Sequence, residues 1–72
     1  MIYVADKEFE THQQAFEWCK QNGSENDWIV LAMAYYNNGY YLNALFCFKQ
    51  ADNVRRQEML QLIGEVTTPR SA

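Results

Sequence analysis

The sequence predicts a mainly α-helical fold: a small bundle of about four helices with a short N-terminal β-hairpin over residues 2–10. Three observations carry that expectation. Apolar residues recur at helical spacing through most of the chain. Capping residues and glycines stand at the ends of those periodic stretches. The β-branched and aromatic run Ile2-Tyr3-Val4 precedes them and is strand-like.

In chain order, Ile2-Tyr3-Val4 reads as a strand, Asp6-Lys7 as a turn and Glu8-Phe9-Glu10 as a returning strand. Two strands alone are marginal in water, so the hairpin must lean on the helices or pair with another copy. Thr11 reads as a helix N-cap, with Gln14 completing a capping box by reaching back. Ala15, Phe16 and Cys19 follow at helical spacing, Trp18 widens the apolar face, and Gly23 stands where a left-handed C-cap belongs. The first helix is therefore expected over residues 12–22. Ser24 or Asn26 caps the next, with Glu25 and Asp27 near its positive end. Trp28, Leu31, Ala32 and Tyr35 form its stripe, and Asn37-Asn38-Gly39 ends it. Tyr41, Ala44, Leu45, Phe48 and Ala51 make the stripe of a third helix. Asp52 and Asn53 break the apolar pattern, and Val54, Met59, Leu60 and Ile63 predict a fourth helix before Gly64. One helical domain over 1–64 is expected, with 65–72 as a flexible tail holding Thr67, Thr68, Pro69 and Ser71.

The totals bound the function. A chain of 72 residues makes one domain. Below roughly 70–80 residues a single core is marginal, and association is one way to add to it. Hydrophobic residues are 49% and aromatics 15%, which favours folding and association over disorder. The net charge of −3 argues against direct nucleic-acid binding. Met1 to Ala5 is too short for a signal-peptide core, and the apolar run Trp28 to Tyr36 is half of what a membrane span needs. Residence in the cytoplasm with free thiols is expected.

Chemistry finds little footing. The single histidine, His12, lies on the same helix as Cys19 but ~10 Å along the axis, too far for proton transfer. Cys19 and Cys47 read as buried structural thiols, and His12 as a surface residue. The glycines are isolated, so no phosphate loop is present, and Arg55-Arg56 is balanced by Asp52 and Glu58. No catalytic, cofactor or metal motif emerges, and the expectation is a protein that is not an enzyme.

Residues 25–52 are more specific. Trp28-x-x-Leu31-Ala32-x-x-Tyr35, followed by Gly39, Tyr41, Ala44, Phe48 and Ala51, resembles a tetratricopeptide repeat, a helix–turn–helix unit. The resemblance implies that Ala32, Ala44 and Ala51 let two helices approach, that Gly39 permits the turn, and that Trp28, Leu31, Tyr35 and Phe48 fill the space between. It further implies a concave face presenting Ile29, Met33, Tyr36 and Asn37. Arg56 stands where the family commonly has proline. Ile29 and Met33 cannot grip a peptide carboxylate as some members do. One unit cannot bury its faces alone, so the first and fourth helices are expected to cap it on either side.

Each hairpin helix carries a second apolar stripe: Ile29, Met33 and Tyr36 on one, Leu42 and Phe46 on the other. Either the flanking helices cover these stripes, or the stripes receive a partner or a second copy. The tyrosines at the hairpin end, Tyr36, Tyr40 and Tyr41, suit an interface. The leading expectation is a non-enzymatic protein–protein interaction module, an adaptor, scaffold or chaperone-like subunit. Its partner would be a protein or a second copy in a homodimer, bound through Ile29, Met33, Tyr36, Asn37, Tyr40, Leu42 and Phe46. The alternative is a small acidic inhibitor or nucleic-acid mimic of phage or mobile-element type. It would block a basic site with Asp6, Glu8, Glu10, Glu17, Glu25 and Asp27.

Overall fold

A computed structural model describes the backbone of residues 1–67 and the side chains of residues 1–64. Two short strands, β1 (Ile2–Val4) and β2 (Lys7–Phe9), precede three helices, α1 (His12–Asn22), α2 (Glu25–Asn37) and α3 (Tyr41–Thr67). The class is the expected one, mainly helical with an N-terminal hairpin.

The strands pair antiparallel with Ile2 opposite Phe9 and Val4 opposite Lys7. The turn is therefore Ala5-Asp6 rather than Asp6-Lys7. Both turn residues take positive φ, 55° and 64°, as a two-residue type I′ hairpin requires. Ile2 and Val4 point into the core while Tyr3 faces out, so the hairpin does lean on the helices.

Side chains fix the helix starts. The Gln14 amide donates to Thr11 Oγ1 at 3.2 Å, but the Gln14 side chain accepts from the Glu10 amide at 3.0 Å, one residue before the expected donor. Ser24 caps α2 in a full capping box: its hydroxyl accepts from the Asp27 amide at 3.3 Å, and Asp27 accepts from the Ser24 amide at 3.0 Å.

The two interhelical glycines act differently. Gly39 has φ +84° and ends α2 in a Schellman motif. The Gly39 amide donates to the Tyr36 carbonyl at 3.0 Å, and the Tyr40 amide to the Tyr35 carbonyl at 2.9 Å. Gly23 does not adopt the expected left-handed conformation; its φ is −73° and ψ 130°. It is needed for close approach, because a Cβ there would lie 2.7 Å from the Cys19 carbonyl oxygen.

The expected third and fourth helices are one. Asp52 and Asn53 stand inside α3, since neither residue breaks a helix as proline does, and Asp52 pairs with Arg56 one turn on at 3.1 Å. Gly64 also lies within α3, which runs on through residues 65–67 of the tail expected over 65–72; residues 68–72 lie outside the described residues. The segment assigned to a fourth helix therefore continues straight and does not fold back to cap the hairpin. α1 does pack on α2, and α2 on α3.

The core is small. It comprises Ile2 and Val4, Ala15 and Cys19 of α1, Trp28, Leu31, Ala32 and Tyr35 of α2, and Ala44, Cys47 and Ala51 of α3. Four alanines at these contacts let the helices approach closely. Phe48 was expected in the interhelical space but is 39% exposed. The buried stripe of α3 is Ala44, Cys47 and Ala51, with Val54 half-buried; Tyr41, Leu45 and Phe48 are exposed on a neighbouring face.

Candidate partner-binding face

Helix α2 turns one face into the core and leaves Met33, Tyr36 and Asn37 exposed on another. Ile29, expected in the same exposed stripe, is instead half-buried and packed against the core. The Schellman turn then delivers Tyr40, and the start of α3 delivers Tyr41 and Leu42. The rings of Tyr36 and Tyr41 meet edge-on at 5.2 Å, which joins the exposed faces of α2 and α3. Leu42 is 83% exposed, far more than a leucine that belongs to a core. The result is an apolar and aromatic surface around the end of the hairpin, rimmed by Asn37, Asn38 and Asn43.

Phe46, further along α3, is turned toward α1. Its ring lies 5.6 Å from Phe16 of α1, and Phe16 in turn meets Trp28 edge-on at 5.5 Å. These rings line an open groove of about 450 Å³ between α1 and α3. Val54 forms its apolar wall, and Lys20 and Gln50 are among its polar lining. The Lys20 ammonium sits 5.7 Å from the centre of the Phe16 ring.

No family model, curated protein or solved structure matches this chain.

The acidic residues are dispersed. Asp6, Glu8 and Glu10 are exposed on and after the hairpin, where Glu8 accepts from the Tyr3 hydroxyl at 3.4 Å. Glu17 of α1 pairs with Lys20 at 3.5 Å and accepts from Gln13 at 2.9 Å. Glu25 and Asp27 are half-buried at the start of α2, and Asp27 is engaged in the capping box.

His12 is not the surface residue expected. It is half-buried, stacked on Tyr35 at 4.7 Å and edge-on to Tyr40 at 5.6 Å. Its Nε2 is buried without a hydrogen-bond partner among the described residues. Burial pushes the Cys19 thiol up to about 11, helped by the Asp27 carboxylate. Burial also pushes Cys47 up to about 11, helped by Cys19. Both are free, and thiols held this far above neutrality are poor nucleophiles.

Sequence reasoning missed Leu45 and Phe48 as exposed residues. The available signal was Cys47: with Ala44, Ala51 and Val54 it forms a second helical stripe, and small residues suit a close helix contact. It also missed that Met59, Leu60 and Leu62 would be left exposed on a continuous helix.

Proposed function

We propose that this chain is a non-enzymatic protein–protein interaction module, an adaptor, scaffold or chaperone-like subunit. The observation that carries the reading is the exposure of Met33, Tyr36, Tyr40, Tyr41, Leu42 and Phe46, with the rings of Tyr36 and Tyr41 in contact across α2 and α3. Contiguous apolar surface rimmed by polar residues marks interaction sites, and tyrosine combines apolar area with a polar tip. The resemblance of residues 25–52 to a tetratricopeptide repeat supports the same class of work. In this reading the compartment is the cytoplasm, where buried Cys19 and Cys47 stay reduced.

A photoreactive phenylalanine analogue placed at Tyr36 or Phe46, with a control at Asp6 in the hairpin turn, tests the proposal in producing cells. Covalent protein adducts at 36 and 46 and not at 6 are expected. No adduct at either apolar position would overturn it.

A further inference from the structure

Helix α3 has 27 residues and is about 40 Å long, in a molecule whose longest dimension is 54 Å. Helix α2, with 13 residues, supports only its first half. The buried positions of α3 end at Ala51, Val54 is half-buried, and every described side chain from Arg55 onward is exposed. Two stripes run along this helix. Ala44, Cys47, Ala51 and Val54 face the core. Tyr41, Leu45, Phe48, Asp52, Arg55, Met59 and Leu62 form the second, and all seven are exposed. Their successive spacings of 4, 3, 4, 3, 4 and 3 residues are those of a heptad seam.

The seam has an internal symmetry. Its two ends are apolar, and its centre holds one acidic and one basic residue. Reversed upon itself, it sets Leu45 against Leu62, Phe48 against Met59 and Asp52 against Arg55. A parallel alignment would instead set Asp52 against Asp52 and Arg55 against Arg55. Arg55 has no ion-pair partner among the described residues, while Asp52 holds Arg56 at 3.1 Å and has lone pairs to spare. The antiparallel register also lays the unsupported half of each helix over the supported half of the other.

We infer that α3 pairs antiparallel with α3 of a second copy, about a two-fold axis passing beside residues 53 and 54. This rests on the reading that the uncovered apolar surface receives protein, and it commits the α3 seam to self-association. The contact is isologous, so each charge pair occurs twice. Leu42 and Phe46 lie off the seam, and Tyr36 borders it through its ring contact with Tyr41.

Charge exchange tests it. Light scattering of the parent across a dilution series should give a dimer. Asp52→Arg and Arg55→Asp, each verified as folded by circular dichroism, should each weaken self-association by ~10-fold or more, because like charges then oppose twice. An equimolar mixture of the two should form heterodimers about as tight as the parent, because opposite charges oppose twice again. Orientation is read by mild oxidation: Leu45→Cys should crosslink to Leu62→Cys of a second chain and not to another Leu45→Cys. A parent that stays monomeric, single variants that dimerise unchanged, or crosslinks between two copies of position 45 would each overturn the inference. A monomeric parent with adducts to another protein at Tyr36 and Phe46 would remove the second copy and leave the broader module reading standing. Absent adducts with an intact antiparallel dimer would do the reverse.

Discussion

Tyr40 closes back on Tyr35 through both backbone and ring: its amide donates to the Tyr35 carbonyl at 2.9 Å, and the two rings meet edge-on at 6.2 Å. This is the hydrophobic contact that accompanies a Schellman motif. It sets where α3 starts relative to α2, and therefore where the exposed tyrosines lie.

That closure depends on Gly39 adopting φ +84°. A Cβ there would meet nothing within 4 Å, so substitution costs backbone strain alone. Gly39→Ala should lower unfolding free energy by ~1–2 kcal/mol, and Gly39→Asn by less, since Asn tolerates the left-handed region. Gly23 should behave differently, because its Cβ would collide with the Cys19 carbonyl. Gly23→Ala should cost ~1–3 kcal/mol, with no relief from asparagine. Urea midpoints of the four variants check this; asparagine equal to alanine at position 39 would count against it.

His12 stacks on Tyr35 with its Nε2 buried and unpaired among the described residues. Replacing a ring that carries an unsatisfied polar atom with an apolar ring removes a desolvation cost. His12→Phe should therefore hold or raise stability. His12→Ala should lose ~1–3 kcal/mol by leaving a cavity against two tyrosines. Equilibrium urea unfolding measures both. A loss in the phenylalanine variant as large as in the alanine variant would show that the imidazole makes a bond essential to the fold.

Most of the fold was legible because local signals agreed. Thr11, Ser24 and Gly39 mark helix ends by chemistry that needs no tertiary context. The stripe Trp28, Leu31, Ala32 and Tyr35 is buried as its spacing implies. The sequence misled where two stripes on one helix competed. Phe48 looks more like core than Cys47, yet helix contacts made by alanines leave room for a thiol and not for a phenyl ring. Asp52 and Asn53 suggested a break from loss of apolar pattern, but a helix ends when its hydrogen bonds end, and neither residue removes one. The exposed residues of the candidate site were only partly legible. Met33, Tyr36, Tyr40, Leu42 and Phe46 are exposed, whereas Ile29 is recruited toward the core. Which of two adjacent faces is covered depends on where the neighbouring helix lies, and spacing alone does not contain that.

The buried thiols make stability depend on alkaline pH. Burial raises Cys19 and Cys47 from 9.0 to about 11. The folded state thus holds these protons more tightly than the unfolded chain. Stability from this source is fully present below pH 9 and declines as pH rises from 9 through about 11. Tyr35 is pushed above 10.0 by burial and then by the two thiols, which extends the decline upward. Urea midpoints between pH 7 and 11 should fall mainly above pH 9, and Cys47→Ala should flatten that fall. In the folded protein at pH 8, a thiol reagent should react with both cysteines far more slowly than in urea. Equal rates would contradict the burial.

The hairpin turn carries avoidable strain. Ala5 sits at φ 55°, a conformation in which alanine clashes and asparagine is tolerated. Ala5→Asn should raise stability by ~0.5–1 kcal/mol, reading the type I′ preference directly. Thermal unfolding of the variant should shift upward, with the amides of Ile2 and Val4 better protected from exchange. A neutral result would mean that the strands are held by packing of Ile2 and Val4 and owe nothing to the turn.

The far half of α3 makes the last prediction. The described side chains from Arg55 to Gly64 are all exposed, and an isolated helix shorter than ~12–15 residues is marginal in water. The exposed Arg56–Asp52 pair contributes at most ~1 kcal/mol. Without a cover, amides beyond residue 57 should exchange near the rate of an unstructured chain, while those between 44 and 54 should report global unfolding. If the seam pairs with a second copy, protection beyond residue 57 should rise with protein concentration, and protection at Leu31 and Ala32 should change little. Hydrogen exchange at two concentrations ~100-fold apart separates the cases, since dilution by that factor shifts a dimer far toward monomer. Concentration-independent protection of the far half would mean that it is stable alone, and the exposed Met59 and Leu62 would then owe nothing to self-pairing.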